Sequence, residues 1–99
     1  MSVFALRLKE ARTHLGLSQE KLGVLAGIDE ASASARMNHY ERGKHAPDST
    51  MVERLANVLN VPEAYFYARD ADVAWLLIQL HRADKKRKKA IMDYVRKQL

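Results

Sequence analysis

Ninety-nine residues, 47% of them hydrophobic, make one domain of ordinary size with enough apolar side chains for a real core. Cysteine is absent, which excludes disulfides and thiolate metal ligands and suits a reducing cytoplasm. The net charge of +5 points to a polyanionic partner, and its distribution says more: residues 1–69 carry nine lysines and arginines against eight acids, residues 70–99 eight against four. Most of the positive charge therefore lies in the tail. The N-terminal MSVFALRLKEARTHL has no apolar run of signal-peptide type, and nowhere do about 18 uncharged apolar residues occur together, so we expect a soluble intracellular protein with no membrane partner.

No alternating run is long enough for a convincing strand, and the pattern reads as helical throughout. A first helix is predicted over about Val3 to His14, with Phe4, Leu8, Ala11 and Leu15 as its buried stripe and Gly16 ending it. Ser18 is a good N-cap for a second helix over Gln19 to Ala26, which gives Leu22, Leu25 and Ala26 to the same core. Gly27 suits the left-handed conformation that ends it.

After that turn Ala33, Met37 and Tyr40 lie at helical spacing on one side of a third helix, while Ser34, Arg36, Asn38 and His39 project elsewhere. The projecting set consists of hydrogen-bonding groups suited to base edges. Two short helices around Gly27, closed by a basic segment with Gly43, are the sequence form of a helix-turn-helix that reads DNA. The third helix ends around Arg42, where Gly43 supplies the C′ residue and Pro47 blocks continuation. Asp48 or Ser49 caps a fourth helix whose Met51, Val52, Leu55, Val58 and Leu59 face inward; Asn60 breaks it. Pro62 opens a short fifth helix through Glu63, Ala64, Tyr65 and Phe66.

Two more helices follow, roughly Ala71 to Arg82 and Lys85 to Gln98. The first of them has little polar circumference, because Val73, Trp75, Leu76, Leu77, Ile78 and Leu80 crowd it, and so needs cover on more than one side. The expected architecture is all-α: a five-helix DNA-binding domain over residues 1–68 and a helical extension over 69–99 that packs on it and dimerises.

Five blocks in register, RLKEAR at 7–12, GLSQEKL at 16–22, AGI at 26–28, YERGKHAPD at 40–48 and LANVLNVP at 55–62, resemble the helix-turn-helix regulators typified by phage repressor and Cro proteins, the XRE-like family. The resemblance covers about Leu6 to Phe66. It implies that Gln19 binds a DNA phosphate, and that Ser34, Ala35, Arg36, Asn38 and His39 face bases in the major groove. Arg36 would pair with guanine and Asn38 with adenine. Arg42, Lys44 and the backbone N–H groups after Gly43 would take phosphates, and Arg12 would form a structural pair with Glu41. One departure from the family pattern is four extra residues, Asp29-Glu30-Ala31-Ser32. Since a helical turn is about 3.6 residues, they either prolong the recognition helix at its N-terminus or lengthen the turn before it.

His14, His39, His45 and His81 show no metal-site spacing, and no nucleophile triad, phosphate loop or paired-carboxylate motif occurs, so no metal, cofactor or catalysis is expected. The run Lys85 to Lys89 opposes the dipole at a helix start; it is either a phosphate-contacting or steering patch, or a solubilising, frayed turn. Trp75, Leu76, Leu80, Ile91, Met92, Val95 and Leu99 either extend the monomer core or make a twofold contact that sets two recognition helices about 34 Å apart. The function expected is a sequence-specific transcriptional regulator, a repressor acting as a homodimer on double-stranded DNA at a pseudo-palindromic operator, cytoplasmic and nucleoid-associated. The competing expectation is an antitoxin or adaptor that binds a protein partner with the same fold.

Overall fold

The computed structural model describes residues 2–99. Six α-helices form, α1 (Val3–His14), α2 (Gln19–Leu25), α3 (Glu30–Glu41), α4 (Ser49–Leu59), α5 (Ala71–Arg82) and α6 (Lys85–Gln98), with one 3₁₀ helix over Glu63–Tyr67 between α4 and α5. The short fifth element is thus a 3₁₀ turn rather than an α-helix, and Pro62 precedes it as a cap instead of opening it. A five-residue stretch allows little more than the tighter i→i+3 pattern.

Local chemistry explains most helix ends. Ser2, Ser18, Asp48, Asp70 and Asp84 each turn a side-chain oxygen onto a backbone N–H of the turn that follows. Gly16, Gly27 and Gly43 sit at positive φ just past α1, α2 and α3, and Asn60 takes the left-handed conformation after α4. Asp48, not Ser49, caps α4, with its Oδ1 accepting from the Met51 N–H at 2.8 Å.

The core is built from Leu8, Leu22, Met37, Leu55, Leu59, Val61, Tyr65 and Phe66, all fully buried. Two expected core residues stand outside it: Leu15 is 47% exposed and Leu25 49% exposed. Both lie in the last turn of a helix or just beyond it, where the chain is already turning away. Their places are taken by residues that hydropathy passes over. Ala5 and Arg7 are buried on α1, and Gly23 is buried on α2.

Buried Arg7 is fully engaged. Its Nε donates to Ala68 O at 2.9 Å, its Nη2 to Arg69 O at 3.0 Å and its Nη1 to Glu10 Oε2 at 3.1 Å, so that α1 ties down the chain between the 3₁₀ helix and α5. Tyr65 donates its phenol to Glu10 Oε1 at 2.8 Å. Burial, reinforced by the bond to that carboxylate, pushes the Tyr65 phenol well above its ordinary range, so it remains a donor.

Helix α5 is anchored at both ends of its inner face. Ala74 is buried, Ile78 packs on the core, and Arg82 donates from Nε to Asn60 O at 3.0 Å and from Nη2 to Leu59 O at 3.1 Å, satisfying carbonyls at the end of α4. Helix α6 is different, because it buries no residue. The molecule measures 50 × 26 × 23 Å, the shape of a compact body with a projecting arm. The tail divides: Ala74 and Ile78 of α5 join the monomer core, whereas Trp75 is 62% exposed, and Ile91, Met92 and Val95 are only half-buried. Among the described residues no helix is long and apolar enough to cross a membrane.

Candidate nucleic-acid interface

Helices α2 and α3 approach each other closely at Gly23. A Cβ placed there would stand 2.8 Å from the Ala33 Cβ and 3.1 Å from the Met37 Cγ, so only glycine permits this spacing. The turn between them is short: Gly27 N–H bonds Val24 O, Ile28 N–H bonds Gly23 O, and Ile28 is buried as a plug beneath the corner. Helix α3 starts at Glu30 with Asp29 as its cap residue, so of the four extra residues Glu30, Ala31 and Ser32 belong to the helix and Asp29 to the turn.

The two ends of α3 are fixed differently. At the C-terminal end, Glu41 is buried and receives Arg12 in a bidentate pair, Nε to Oε2 at 2.6 Å and Nη2 to Oε1 at 2.9 Å. Arg12 gives its remaining group, Nη1, to Leu17 O at 2.8 Å, so one guanidinium joins α1, the α1–α2 loop and α3. Gln19, in the first turn of α2, donates from Nε2 to Glu41 Oε1 at 3.2 Å and to Asn38 Oδ1 at 3.4 Å. That second bond is long enough to be given up readily.

Helical geometry then fixes what α3 presents. With Ala33, Met37, Tyr40 and Glu41 buried on one side, the opposite side carries Ala31, Ala35 and Arg42, with half-buried Asn38 and His39 flanking Ala35, and exposed Ser34 and Arg36 on its two edges. The N-terminal half of this face is built from Ala31, Ser32, Ser34 and Ala35, with no long side chain to hold a partner at a distance. Arg36, on the edge of that face, is turned toward Tyr40. Its Nη2 donates to the Tyr40 hydroxyl at 2.8 Å, and its guanidinium carbon lies 5.9 Å from the Tyr40 ring centre.

Arg42 and Lys44 are exposed at the end of α3, and among the described residues neither is in an ion pair. The backbone N–H groups after Gly43 are not free as the sequence suggested. Lys44 N–H bonds His39 O at 2.9 Å, and His45 N–H points to the same oxygen at 3.5 Å, because they close the left-handed cap of α3. His45, which motif reasoning passed over, packs its ring against His39 with centres 5.2 Å apart. No spacing rule brings these two together; the chain reversal at Gly43 does.

A closely packed helix pair, with a glycine at the crossing, a buried anchor for the second helix and a small, polar outer face on it, defines a helix-turn-helix DNA-binding module. The family model for helix-turn-helix proteins, HTH_3, matches residues 8–66, and the chain belongs to that family, the XRE-like DNA-binding transcriptional regulators. Similar curated proteins are uncharacterized HTH-type transcriptional regulators of Sinorhizobium medicae and of Rhizobium meliloti, each 34% identical over 61 residues. That stretch is 62% of this chain but 41% of each relative, so the chain spans well under half of their length. The crystal structure of the transcriptional regulator BswR is similar over 100% of this chain and 95% of that one, at 43% identity and a TM-score of 0.88.

Proposed function

We propose that this protein is a repressor that binds double-stranded DNA in a sequence-specific manner as a homodimer on a pseudo-palindromic operator, in the cytoplasm and associated with the nucleoid. The observation that carries the proposal is the outer face of α3. Small residues from Ala31 to Ala35 let the helix sit deep in a major groove, and Asn38 and His39 offer hydrogen-bonding groups to base edges, with the short Ser34 hydroxyl at the N-terminal edge of the same face. The Ala35 methyl suits a thymine methyl. Gln19, Arg42 and Lys44 stand around this face as phosphate contacts, while Arg12 and Glu41 hold α3 at its angle.

The homodimer rests on the tail. Helices α5 and α6 expose Val73, Trp75, Leu76 and Tyr94, large apolar and aromatic side chains that a second copy would cover. One short recognition helix also contacts too few base pairs for useful specificity, whereas two related by a twofold axis meet successive groove faces about 34 Å apart. The same exposed surface favours a second reading, an antitoxin or adaptor whose tail engages a different protein. Asp84 caps the 85–89 run by accepting from the Arg87 N–H at 2.7 Å, and its exposed charges suit steering toward DNA.

Selection of bound duplexes from a random pool at near-physiological salt tests the proposal. An enriched inverted repeat supports the dimeric reader and gives the half-site spacing. Salt-sensitive retention without enrichment supports the adaptor.

A further inference from the structure

We infer that Arg36, Tyr40 and His45 form a seat for one backbone phosphate of the bound DNA, at the side of the recognition helix. The inference rests on the DNA-binding reading above and changes the role that the resemblance gives Arg36. A concavity of about 220 Å³ opens between α3 and the segment after it, lined by Arg36, His39, Tyr40, His45 and Ala46. Its polar lining consists of groups that can donate hydrogen bonds, and no carboxylate borders it.

The donors are uncommitted. Tyr40 accepts from Arg36, and among the described residues nothing accepts the phenol's own proton. Arg36 uses only Nη2, which leaves Nε and Nη1 free to meet an anion. His45 is braced by the His39 ring and exposed on its other side. A phosphodiester presents only acceptor oxygens, which these donors match; the major-groove edges of guanine and thymine are also all-acceptor, so it is position that separates a phosphate from a base here.

Position agrees with chemistry. Successive residues of a helix are about 100° apart, so Arg36 lies to the side of the face centred on Ala35. When a helix lies in a major groove its central face meets bases, and its sides meet the sugar-phosphate walls. A guanidinium held against Tyr40 is aimed at a wall.

The test compares the full chain with Arg36→Ala, His45→Ala and Tyr40→Phe, measuring binding to a selected duplex and to a scrambled one over a salt series by fluorescence anisotropy. The seat predicts that Arg36→Ala loses roughly tenfold on both duplexes alike, with the slope of log K against log salt shallower by about one. Smaller, equally non-selective losses are expected for His45→Ala and Tyr40→Phe. Duplexes carrying one neutral methylphosphonate at successive positions add a second readout: one linkage weakens the unmodified protein and leaves Arg36→Ala unaffected. A loss confined to duplexes with one particular base pair, at unchanged salt slope, overturns the seat and restores Arg36 as a base reader. Failure of the unmodified protein to bind any duplex overturns the DNA reading itself, and the seat with it. An unchanged urea midpoint for Arg36→Ala excludes a folding defect as the cause of its loss.

Discussion

The Arg12 guanidinium and the Glu41 carboxylate meet through two parallel hydrogen bonds of 2.6 and 2.9 Å in a site from which water is nearly excluded. This pair sets the angle of the recognition helix against α1, and its energetics are those of a buried ion pair. Removing one partner strands a charge. Arg12→Ala is therefore expected to cost about 3–5 kcal/mol of unfolding free energy in urea melts, whereas Arg12→Met combined with Glu41→Leu costs far less. Equal losses from the single and double changes would show that packing, not charge pairing, governs the site.

Gly23→Ala tests the helix crossing. Helix propensity alone favours alanine by about 1 kcal/mol, yet the new Cβ would meet the Ala33 Cβ at 2.8 Å, with the rest of the core filled around it. We expect overpacking to win, with a net loss of about 1–2 kcal/mol and weaker DNA binding as α2 and α3 are pushed apart. A stabilised variant would mean that the crossing gives way easily.

The interior of the helix-turn-helix was largely legible in the sequence. Ala33, Met37 and Tyr40 at helical spacing marked the buried side of α3, and the glycines at 16, 27 and 43 marked the ends of α1, α2 and α3, because periodicity and positive φ are written in residue type. Buried Arg7 was not legible, since a cation buried at the end of long-range hydrogen bonds to Ala68 and Arg69 has no local signature. Leu15 and Leu25 were read as core because they keep a helical spacing that the chain abandons one residue later. On the outer side of α3, helical spacing is enough to place Ser34, Arg36, Asn38 and His39 off the buried stripe, but the Arg36–Tyr40 and His39–His45 contacts depend on rotamers and on a chain reversal, which spacing does not encode.

Base reading and phosphate contact separate experimentally. Asn38→Ala is expected to relax preference at particular base pairs by ~1–3 kcal/mol, while Lys44→Ala weakens all duplexes by similar amounts and reduces the salt slope by about one. The measurement is binding to a set of single-base variants of the selected site. Uniform loss from Asn38→Ala would move that residue from the bases to the Gln19 contact.

Substitution in the tail should change assembly and leave the monomer intact. Trp75→Asp places a charge on a residue 62% exposed, so little change in monomer stability is expected. Sedimentation of the unmodified chain should give the mass of two copies, and of Trp75→Asp the mass of one. A single-copy mass for the unmodified chain would favour a heterologous protein partner.

The added turn of α3 has an electrostatic consequence. Asp29 and Glu30 place two exposed carboxylates at the N-terminal tip of α3, the end that leads into the groove in the proposed docking. Against the phosphates of any duplex they are repulsive, and the repulsion is the same whatever the sequence. On the proposed docking, base contacts must outweigh this repulsion, so the tip would act as a threshold: it weakens adhesion that is indifferent to sequence, while the basic tail still draws the protein toward the polymer.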